Sequence, residues 1–406
     1  MAVAEAVKSK INGRENAGIR SMFETGLLLK KQFGAENVFD FSLGNPSLEP
    51  PEQVRIHMQK LAADTSCGLH SYMPNAGLPE CRQAVARKVS KEQGTCVCAD
   101  RIVMSSGAAG ALNVFLKAVL NPGDAVFVSV PFFPEYAHYA ANHGGLLHPI
   151  ACKDDMSLDT DAFEKAFAQA LKEKKDVAAV IVNSPNNPSG KIYTEKNISG
   201  LVSLIKSYAE KTGKKPYLIC DEPYRDIVYD TAAVPAVFPL YTETVIVSSF
   251  AKNLSLPGER IGYLALNPSA ENVHELFQAC SFTNRILGFV NAPAFFQRVI
   301  EKTWDVPVDY SAYKKRRALI IDAADTAGLQ YIKPEGAFYL FCKVPESRRL
   351  KTADDYAFCE HLQRYRILCV PGSVFGCPGW IRAAYCTDEK TIIHCKAALK
   401  EACEAW

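Results

Sequence analysis

Between residues 100 and 265, short apolar runs alternate with segments of helical periodicity, and this alternation constrains the fold more than any other feature of the chain. The apolar runs lie at 101–105, 125–130, 177–182, 217–220 and 245–247. A run that is apolar at consecutive positions is typical of a strand buried on both faces. Strands separated by helices along the chain usually pair in parallel. The sequence therefore predicts an α/β fold with a mostly parallel central sheet that helices cover on both sides.

Length and charge limit the class of protein. A chain of 406 residues is longer than one ordinary domain, so we expect two lobes. The net charge is +2, from 46 basic and 44 acidic residues, which gives no strong field to attract nucleic acid or an anionic membrane. Residues 1–20 contain no apolar core of signal-peptide length, and no run reaches the roughly 18 apolar residues of a membrane span. We expect a cytoplasmic protein.

The 14 cysteines are scattered along the chain, and several, such as Cys220 and Cys369, lie inside apolar runs. The close pair Cys96 and Cys98 has no second pair at zinc-ligand spacing. We therefore expect buried, reduced thiols and no metal site.

The segment 248–260, which follows the last of these strands, contains residue types that can bind a carbonyl compound and a phosphate. Ser248 and Ser249 end the apolar run, Lys252 follows, and Arg260 comes eight residues later. A lysine that emerges from a core strand is desolvated, which favours the neutral amine, and a neutral amine can attack a carbonyl. The hydroxyls and the arginine could hold a phosphate. Together these groups indicate pyridoxal 5′-phosphate (PLP), although a lone lysine at a strand end is more often a surface residue.

Small residues mark two places where a ligand could approach the backbone. Ala108 and Ala109 lie in the segment 106–110, between a strand and a helix, where backbone amides can cradle a phosphate. Tight packing of the strand on the helix explains this segment equally well. Gly44 follows the apolar run 38–43, either to admit a ligand or to make a plain turn.

Three further candidates follow predicted strands. Phe133 could stack on a flat ring or pack in the core. Asn187 lies in a loop with two prolines that could hold its amide in one orientation. Asp221 needs a positive partner, such as a pyridinium nitrogen, unless it caps the next turn. Because ligands of open α/β sheets bind beyond the carboxyl ends of the strands, the shared placement of these residues favours a common site.

Arg382 lies within an apolar strand at 380–385. An arginine in such a strand requires an anion, which could be a ligand or a carboxylate of the fold itself.

With Lys252, Asp221, Tyr224, Asn187 and Arg382 in these positions, the chain resembles the fold type I PLP enzymes, and within them the class I/II aminotransferases related to aspartate aminotransferase. The motifs that carry the resemblance are N-N-P-S-G, D-E-P-Y, S-S-F-A-K with an arginine eight residues on, and W-I-R. The resemblance covers nearly the whole chain.

This resemblance implies a role for each candidate. Lys252 holds PLP as an internal aldimine and later moves the proton between the substrate α-carbon and the cofactor C4′. Asp221 pairs with the pyridine nitrogen and keeps it protonated. Asn187 and Tyr224 donate hydrogen bonds to the ring 3′-oxygen. Phe133 stacks on the ring, where many relatives have tyrosine or tryptophan.

The resemblance also implies a phosphate site that two subunits share. The backbone of Ala108 and Ala109 binds the phosphate together with Ser249 and Arg260, although relatives often have a hydroxyl residue in place of Ala109. Tyr72 resembles the tyrosine that reaches the phosphate of the neighbouring subunit, which implies a homodimer.

Substrate binding follows from the same resemblance. Arg382 clamps the substrate α-carboxylate in a bidentate manner, with Gly44 and Asn187 nearby. Relatives that act on dicarboxylates can place a second arginine near the partner's site, and Arg285 lies close to that position. We therefore expect an L-amino acid donor, with aspartate or glutamate as the hypothesis, and a 2-oxo acid acceptor that reacts in a ping-pong sequence.

The expected architecture is a large PLP-binding domain at 46–295 with the mostly parallel sheet. A smaller α+β domain, made from 1–45 and 296–406, closes over the substrate. Two alternatives share this scaffold: a carbon–sulfur lyase or decarboxylase, and a non-catalytic PLP-binding regulator. A nicotinamide dehydrogenase would also be α/β, but no G-x-G-x-x-G follows a first strand.

Overall fold

The computed structural model describes residues 3–12, 18–348 and 351–406. Its helices are α1 Glu5–Asn12, α2 Gly18–Phe33, α3 Glu52–Ala62, α4 Pro79–Gln93, α5 Gly107–Val119, α6 Glu135–Asn142, α7 Thr160–Glu173, α8 Glu195–Thr212, α9 Val273–Ile286, α10 Ala294–Thr303, α11 Ser311–Thr326, α12 Asp355–Arg364 and α13 Glu389–Ala405. Its strands are β1 Phe39–Asp40, β2 Ile102–Ser106, β3 Ala125–Ser129, β4 Leu146–Ile150, β5 Val177–Asn183, β6 Tyr217–Asp221, β7 Thr244–Ser249, β8 Ile261–Leu266, β9 Tyr331–Ile332, β10 Tyr339–Lys343, β11 Ile367–Leu368, β12 Val370–Pro371 and β13 Trp380–Ala384.

A seven-stranded sheet forms the centre of the fold, in the order β2-β8-β7-β6-β5-β3-β4. Strands β3 to β7 pair in parallel, whereas β8 runs antiparallel to both β2 and β7. All five apolar runs predicted as strands belong to this sheet. The α/β class with a large, mostly parallel central sheet is therefore confirmed.

Two strands of the sheet and three helices, α6, α12 and α13, were not predicted. Strand β4 contains His148 and Pro149 and is largely accessible at the sheet edge, so its sequence lacks the apolar run of a buried strand. Strand β8 is buried at every position. The sequence analysis did not recognise it as a strand, because it follows the segment of Lys252 directly after a turn. Helix α6 has eight residues, too few for a clear helical period.

Side chains from the two faces of the sheet enter different apolar clusters, because successive residues of a strand point to opposite sides. On β7, Val245 and Val247 pack in the cluster that includes Phe115 of α5 and Cys280 of α9. Ile246 packs in the cluster of the opposite face. The sheet is therefore covered on both sides, as its continuous apolar strands require.

The two ends of the chain meet in a third cluster. Strand β1 pairs in parallel with β11, and a four-stranded antiparallel sheet has the order β12-β13-β10-β9. Helices α11, α12 and α13 pack around these strands. Helix α10 lies apart from them, since its Val299 and Ile300 belong to the same cluster as Ile246 of the central sheet.

Three parallel strands bring the first site residues together. Asn183 ends β5 and is paired with Asp221 at the end of β6, and Asp221 is paired with Val247 of β7. Lys252 follows three residues after the end of β7. Glycine is required where α5 begins beside β8, because a Cβ on Gly262 would lie 2.5 Å from the carbonyl carbon of Gly107.

Two further sequence expectations concern burial. Of the 14 cysteines, which form no disulfide, eight are buried, but Cys67, Cys96 and Cys98 are exposed. Within the described ranges, none of the helices is both long and apolar enough to cross a membrane.

Candidate active site

A cavity of about 350 Å³ opens between the carboxyl edge of the central sheet and the strands β10 and β13. Eleven of the predicted site residues line it: Gly44, Ala108, Ala109, Phe133, Asn187, Asp221, Tyr224, Ser249, Lys252, Arg260 and Arg382. These residues are far apart in sequence, so their meeting in one cavity is a property of the tertiary structure.

The amine of Lys252 points into this cavity. Its Nζ donates a hydrogen bond of 2.8 Å to the carbonyl of Gly44 and lies 5.8 Å from the ring centroid of Tyr224. Burial lowers the pKa of Lys252 to about 8; the nearby thiol of Cys386 opposes this shift, and the guanidinium of Arg382 adds to it. Near neutral pH, a larger fraction of this amine is therefore neutral than in an ordinary lysine. The neutral amine can attack a carbonyl or accept a proton.

The carboxylate of Asp221 lies at the end of β6, with 5% of the residue exposed. Its Oδ2 accepts a hydrogen bond from the hydroxyl of Tyr136, while Oδ1 is buried without a hydrogen-bond partner among the described residues. Burial raises the pKa of Asp221 to about 7, and the bond from Tyr136 opposes this increase. A buried carboxylate with one unpartnered oxygen at a cavity wall is suited to a cationic ring nitrogen, so these residues fit PLP.

Sequence analysis missed Tyr136 and Tyr339. Tyr136 lies in the first turn of α6, three residues after Phe133, and the two rings meet edge to face at 5.6 Å. That i, i+3 spacing was the available signal, because it places both side chains on one side of a helical turn. Tyr339, unlike Tyr136, lines the cavity itself, and its hydroxyl lies 2.6 Å from that of Tyr224. A Cβ on Gly44 would lie only 2.1 Å from the Tyr339 hydroxyl, so this close approach requires glycine.

Arg382 of β13 is 2% exposed and forms no ion pair with a carboxylate of the described ranges. Its Nη1 donates to Oδ1 of Asn187 at 3.1 Å, and its Nη2 donates to the carbonyl of Ser42 at 2.5 Å. The guanidinium lies between the rings of Tyr339 and Phe375, with 4.8 and 4.9 Å to the centroids. Burial lowers the pKa of Arg382. A buried cation with neutral acceptors alone is suited to an anionic ligand.

The opposite end of the cavity has the features of a phosphate site. Ala108 and Ala109 lie in the first turn of α5, where free backbone amides and the helix dipole favour an anion. Ser249 is buried at the end of β7. Arg260 donates from Nη1 to the carbonyl of Pro257 at 3.0 Å. Its Nη2 approaches Gly107 so closely that a Cβ there would lie 2.8 Å away.

Two predicted site residues lie away from this cavity. Tyr72 is 95% exposed. Arg285 is exposed on α9, with its guanidinium 5.3 Å from the ring centroid of Phe282. Neither side chain lines the cavity of its own chain, so a role at an active site requires a second subunit.

Comparison with known proteins points to one family. The family model for aminotransferase class I and II matches residues 36–398. An aspartate aminotransferase of Thermotoga maritima is 27% identical over 369 residues, covering 89% of each chain. A probable aspartate/prephenate aminotransferase of Aquifex aeolicus is 29% identical over 380 residues, covering 91% of each.

Solved structures show the same fold. An amino transferase from Eubacterium rectale has a TM-score of 0.90 at 36% identity, covering 99% of this chain and 98% of that one. The aspartate aminotransferase of Thermus thermophilus with maleate has a TM-score of 0.85 at 23% identity, covering 99% of this chain and 100% of that one.

Replacing Tyr136 with phenylalanine should weaken PLP binding. The change removes the hydrogen bond that opposes the raised pKa of Asp221, so less of the carboxylate is ionised to meet the ring nitrogen. A hydrogen bond to a charged group contributes about 2 kcal/mol, so the dissociation constant of PLP should rise roughly 30-fold. The measurement is an absorbance titration of the apoprotein. Tyr139→Phe is the control, because Tyr139 lines the same cavity and its hydroxyl has no hydrogen bond within the described ranges. Equal weakening in both variants would contradict the role of Tyr136.

Capture of PLP by the apoprotein should depend on pH with a midpoint near the lowered pKa of Lys252, about 8. If Lys252 is the nucleophile, only its neutral amine reacts, so the rate constant should rise with pH and level off above this value. An ordinary lysine continues to gain neutral amine up to a pKa of about 10.4. The measurement is stopped-flow absorbance from about pH 6 to about pH 11, which brackets both values. Nα-acetyllysine serves as the reference, and a protein profile that follows it would show that Lys252 is not desolvated.

Proposed function

We propose a role for each residue of this cavity from the premise that the chain belongs to the class I and II aminotransferase family. The protein is a PLP-dependent aminotransferase, which moves an amino group from an amino acid to a 2-oxo acid. One observation carries the proposal. A single cavity contains a lysine amine with a lowered pKa, a buried carboxylate with an unpartnered oxygen, and a buried arginine that forms no ion pair within the described ranges.

The cavity holds the cofactor ring at four places in this proposal. The unpartnered Oδ1 of Asp221 would bind the ring nitrogen, and Phe133 would pack against the ring. The Tyr224 hydroxyl and the Asn187 amide bind the ring oxygen. When bound, the cofactor supplies an electron sink for charge that develops at the α-carbon of the donor. The first turn of α5, with Ser249 and Arg260, binds the phosphate.

Lys252 anchors the cofactor through Nζ and then moves a proton. The released amine would take the proton from the α-carbon of the donor and hold it at Nζ for the next step. The lowered pKa of Lys252 supports this transfer, because burial makes the neutral amine, which accepts the proton, more accessible than in an ordinary lysine.

Arg382 orients the donor by its α-carboxylate. The guanidinium presents parallel N–H groups to a carboxylate, and the surrounding rings of Tyr339 and Phe375 exclude water. The amide of Asn187 already bonds Nη1 and so keeps the guanidinium in place. Gly44 leaves room for the donor near Lys252, because it has no side chain.

A homodimer would complete the site in this proposal. Tyr72, Phe282 and Ile286 are exposed by 95%, 51% and 49%, and large exposed apolar side chains are typical of a surface that another protein covers. In a dimer, Tyr72 reaches the phosphate of the partner's cofactor, and Arg285 reaches the partner's substrate.

Aspartate or glutamate is the amino donor that we propose. Two curated relatives carry the name aspartate aminotransferase, and the Thermus thermophilus structure contains maleate, a dicarboxylate. Arg285 is the candidate for the second carboxylate, in keeping with the sequence analysis.

We also propose two domains that close over the substrate and a cytoplasmic location. The large domain contains the central sheet, and the small domain contains the residues around β1 and β10 to β13. We place the second boundary after α10 rather than at 295/296, because Val299 and Ile300 pack against the large core. Closure would bring Arg382 of the small domain towards Lys252 of the large one.

A half-reaction screen tests the proposed function. The holoenzyme is mixed with single amino acids, and conversion of the bound cofactor to its pyridoxamine form is followed by absorbance. We expect conversion by at least one donor, recovery of the original spectrum on adding a 2-oxo acid, and no conversion in Lys252→Ala. Release of ammonia and an oxo acid in the absence of an acceptor would indicate a lyase, and release of carbon dioxide would indicate a decarboxylase. Conversion by Lys252→Ala at the wild-type rate would refute the role of Lys252.

Arg285→Ala should reduce the preference for a dicarboxylic donor. Loss of a charge-assisted contact of about 2 kcal/mol should lower the second-order rate constant of the half-reaction with aspartate roughly 30-fold. The value for alanine should not change, because alanine has no second carboxylate. The control is Arg87→Ala, which removes another exposed arginine that lies over an aromatic ring. An unchanged ratio of aspartate to alanine would remove the support for Arg285.

A further inference from the structure

The segment 250–260, which joins β7 to β8 and includes Lys252, has a conformation that its own sequence does not favour. Ser255 has a φ of 54° and Arg260 a φ of 51°, both in the left-handed region that residues with a side chain rarely adopt. A backbone in this conformation persists only where its surroundings hold it. The position of the lysine therefore depends on contacts from outside the segment.

Asn253, the residue after Lys252, receives such contacts. Its Nδ2 donates to Oδ2 of Asp226 at 2.8 Å, and its backbone carbonyl accepts from the hydroxyl of Tyr310 at 3.2 Å. Its own Oδ1 accepts from the backbone amide of Leu254 at 2.9 Å. Asn253 is 6% exposed, so these bonds have little competition from water.

Asp226 is in turn held by a cation from α4. Lys88 Nζ lies 3.0 Å from the same Oδ2 and 2.6 Å from Oε1 of Glu92, and its side chain is 13% exposed. Burial raises the pKa of Asp226, but Lys88 and the amide of Asn253 more than offset this effect, so the pKa lies below its usual value. The carboxylate is therefore charged when it accepts from Asn253, which strengthens the bond.

The contacts that join Lys88, Asp226 and Asn253 do not face the cofactor cavity. Lys88, Asp226 and Asn253 instead line a separate cavity of about 400 Å³, which they share with Tyr310. None of the four lines the cavity that contains Lys252. Their effect on the reaction must therefore pass through the backbone of the lysine segment.

We propose that Asp226 is a positioning residue, which holds Asn253 and thereby the backbone that directs Lys252 into the cavity, with Lys88 as its counter-ion. The inference rests on the proposed function in that Lys252 is taken as the lysine that anchors PLP. It adds a residue from outside the cavity to those that determine the rate.

The test compares the holoenzymes of Asp226→Ala, Asn253→Ala and the double variant. Each is mixed with a saturating amino acid donor, and the single-turnover rate constant is measured by absorbance. We expect a decrease of about tenfold in each single variant, because small misplacements of a reacting group are costly. The double variant should be no slower than the slower single variant, because both changes break the same path. The donor concentration at half-maximal rate should stay within about twofold, because a substrate contact that is left intact keeps its binding energy.

Hydrogen exchange provides a second readout that does not depend on activity. Amides of residues 250–260 should exchange faster in all three variants, whereas those of β5 should not change. The control is Asp230→Ala, which removes an ion pair of the same 3.0 Å length with the buried Arg317. Within the described ranges, Asp230 forms no hydrogen bond or ion pair with residues 250–260. It should leave both the rate constant and the exchange of 250–260 unchanged.

The outcomes separate this inference from the proposed function. If the fold-decreases in the single-turnover rate constant multiply in the double variant, Asp226 and Asn253 act independently. That result would refute the proposal that Asp226 acts through Asn253. A lower thermal midpoint with an unchanged rate constant would show that Asp226 is only structural. If Asp226→Ala does not fold, Asn253→Ala keeps the inference testable, since it leaves every charge in place. Cofactor conversion that survives Lys252→Ala would instead refute the role of Lys252, whatever the result at Asp226.

Discussion

Charge buried at the carboxyl edge of the central sheet is the constraint on which the rest of this structure depends. Lys252, Asp221 and Arg382 are each withdrawn from water into one cavity, and none forms an ion pair with an oppositely charged side chain of the described ranges. Isolated buried charges are costly in free energy, and a protein retains them where a ligand of opposite charge pairs with them. In the function that we propose, PLP and an amino acid donor would provide the matching charges: a protonated ring nitrogen for Asp221 and a carboxylate for Arg382.

The fold determines where these buried charges lie relative to one another. Parallel strands β5, β6 and β7 deliver their last residues to one edge, and their hydrogen-bonded register fixes the spacing between them. Lys252 is the exception, because it follows a strand instead of belonging to one. The segment 250–260 contains two residues with a left-handed backbone, Ser255 and Arg260, and in our proposal it is held through Asn253. The ion pair between Lys88 of α4 and Asp226 would therefore affect a reaction in another cavity.

Sequence reasoning identified some residues of this cavity and missed others. Lys252, Asp221 and Asn187 were predicted because each follows a buried strand, and buried strands have a clear apolar pattern. Tyr136 and Tyr339 were missed because a tyrosine in an aromatic-rich segment looks like core packing until its hydroxyl partner is known. Strand β4 and helix α6 escaped prediction because an accessible edge strand and a two-turn helix carry little periodic signal.

The sequence by itself determined the fold class, five of the seven strands of the central sheet and the chemical types present: one lysine after a strand, one acid at a strand end, one arginine within a strand. These are local properties, because burial leaves an apolar pattern in neighbouring residues. Only the tertiary structure decided which of these groups share a cavity, that one oxygen of Asp221 stays unpartnered while Tyr136 occupies the other, and that Asp226 reaches Asn253. Such pairings join residues that are distant in the chain, and the energy of a buried charge depends on all its neighbours in space, which no local pattern records.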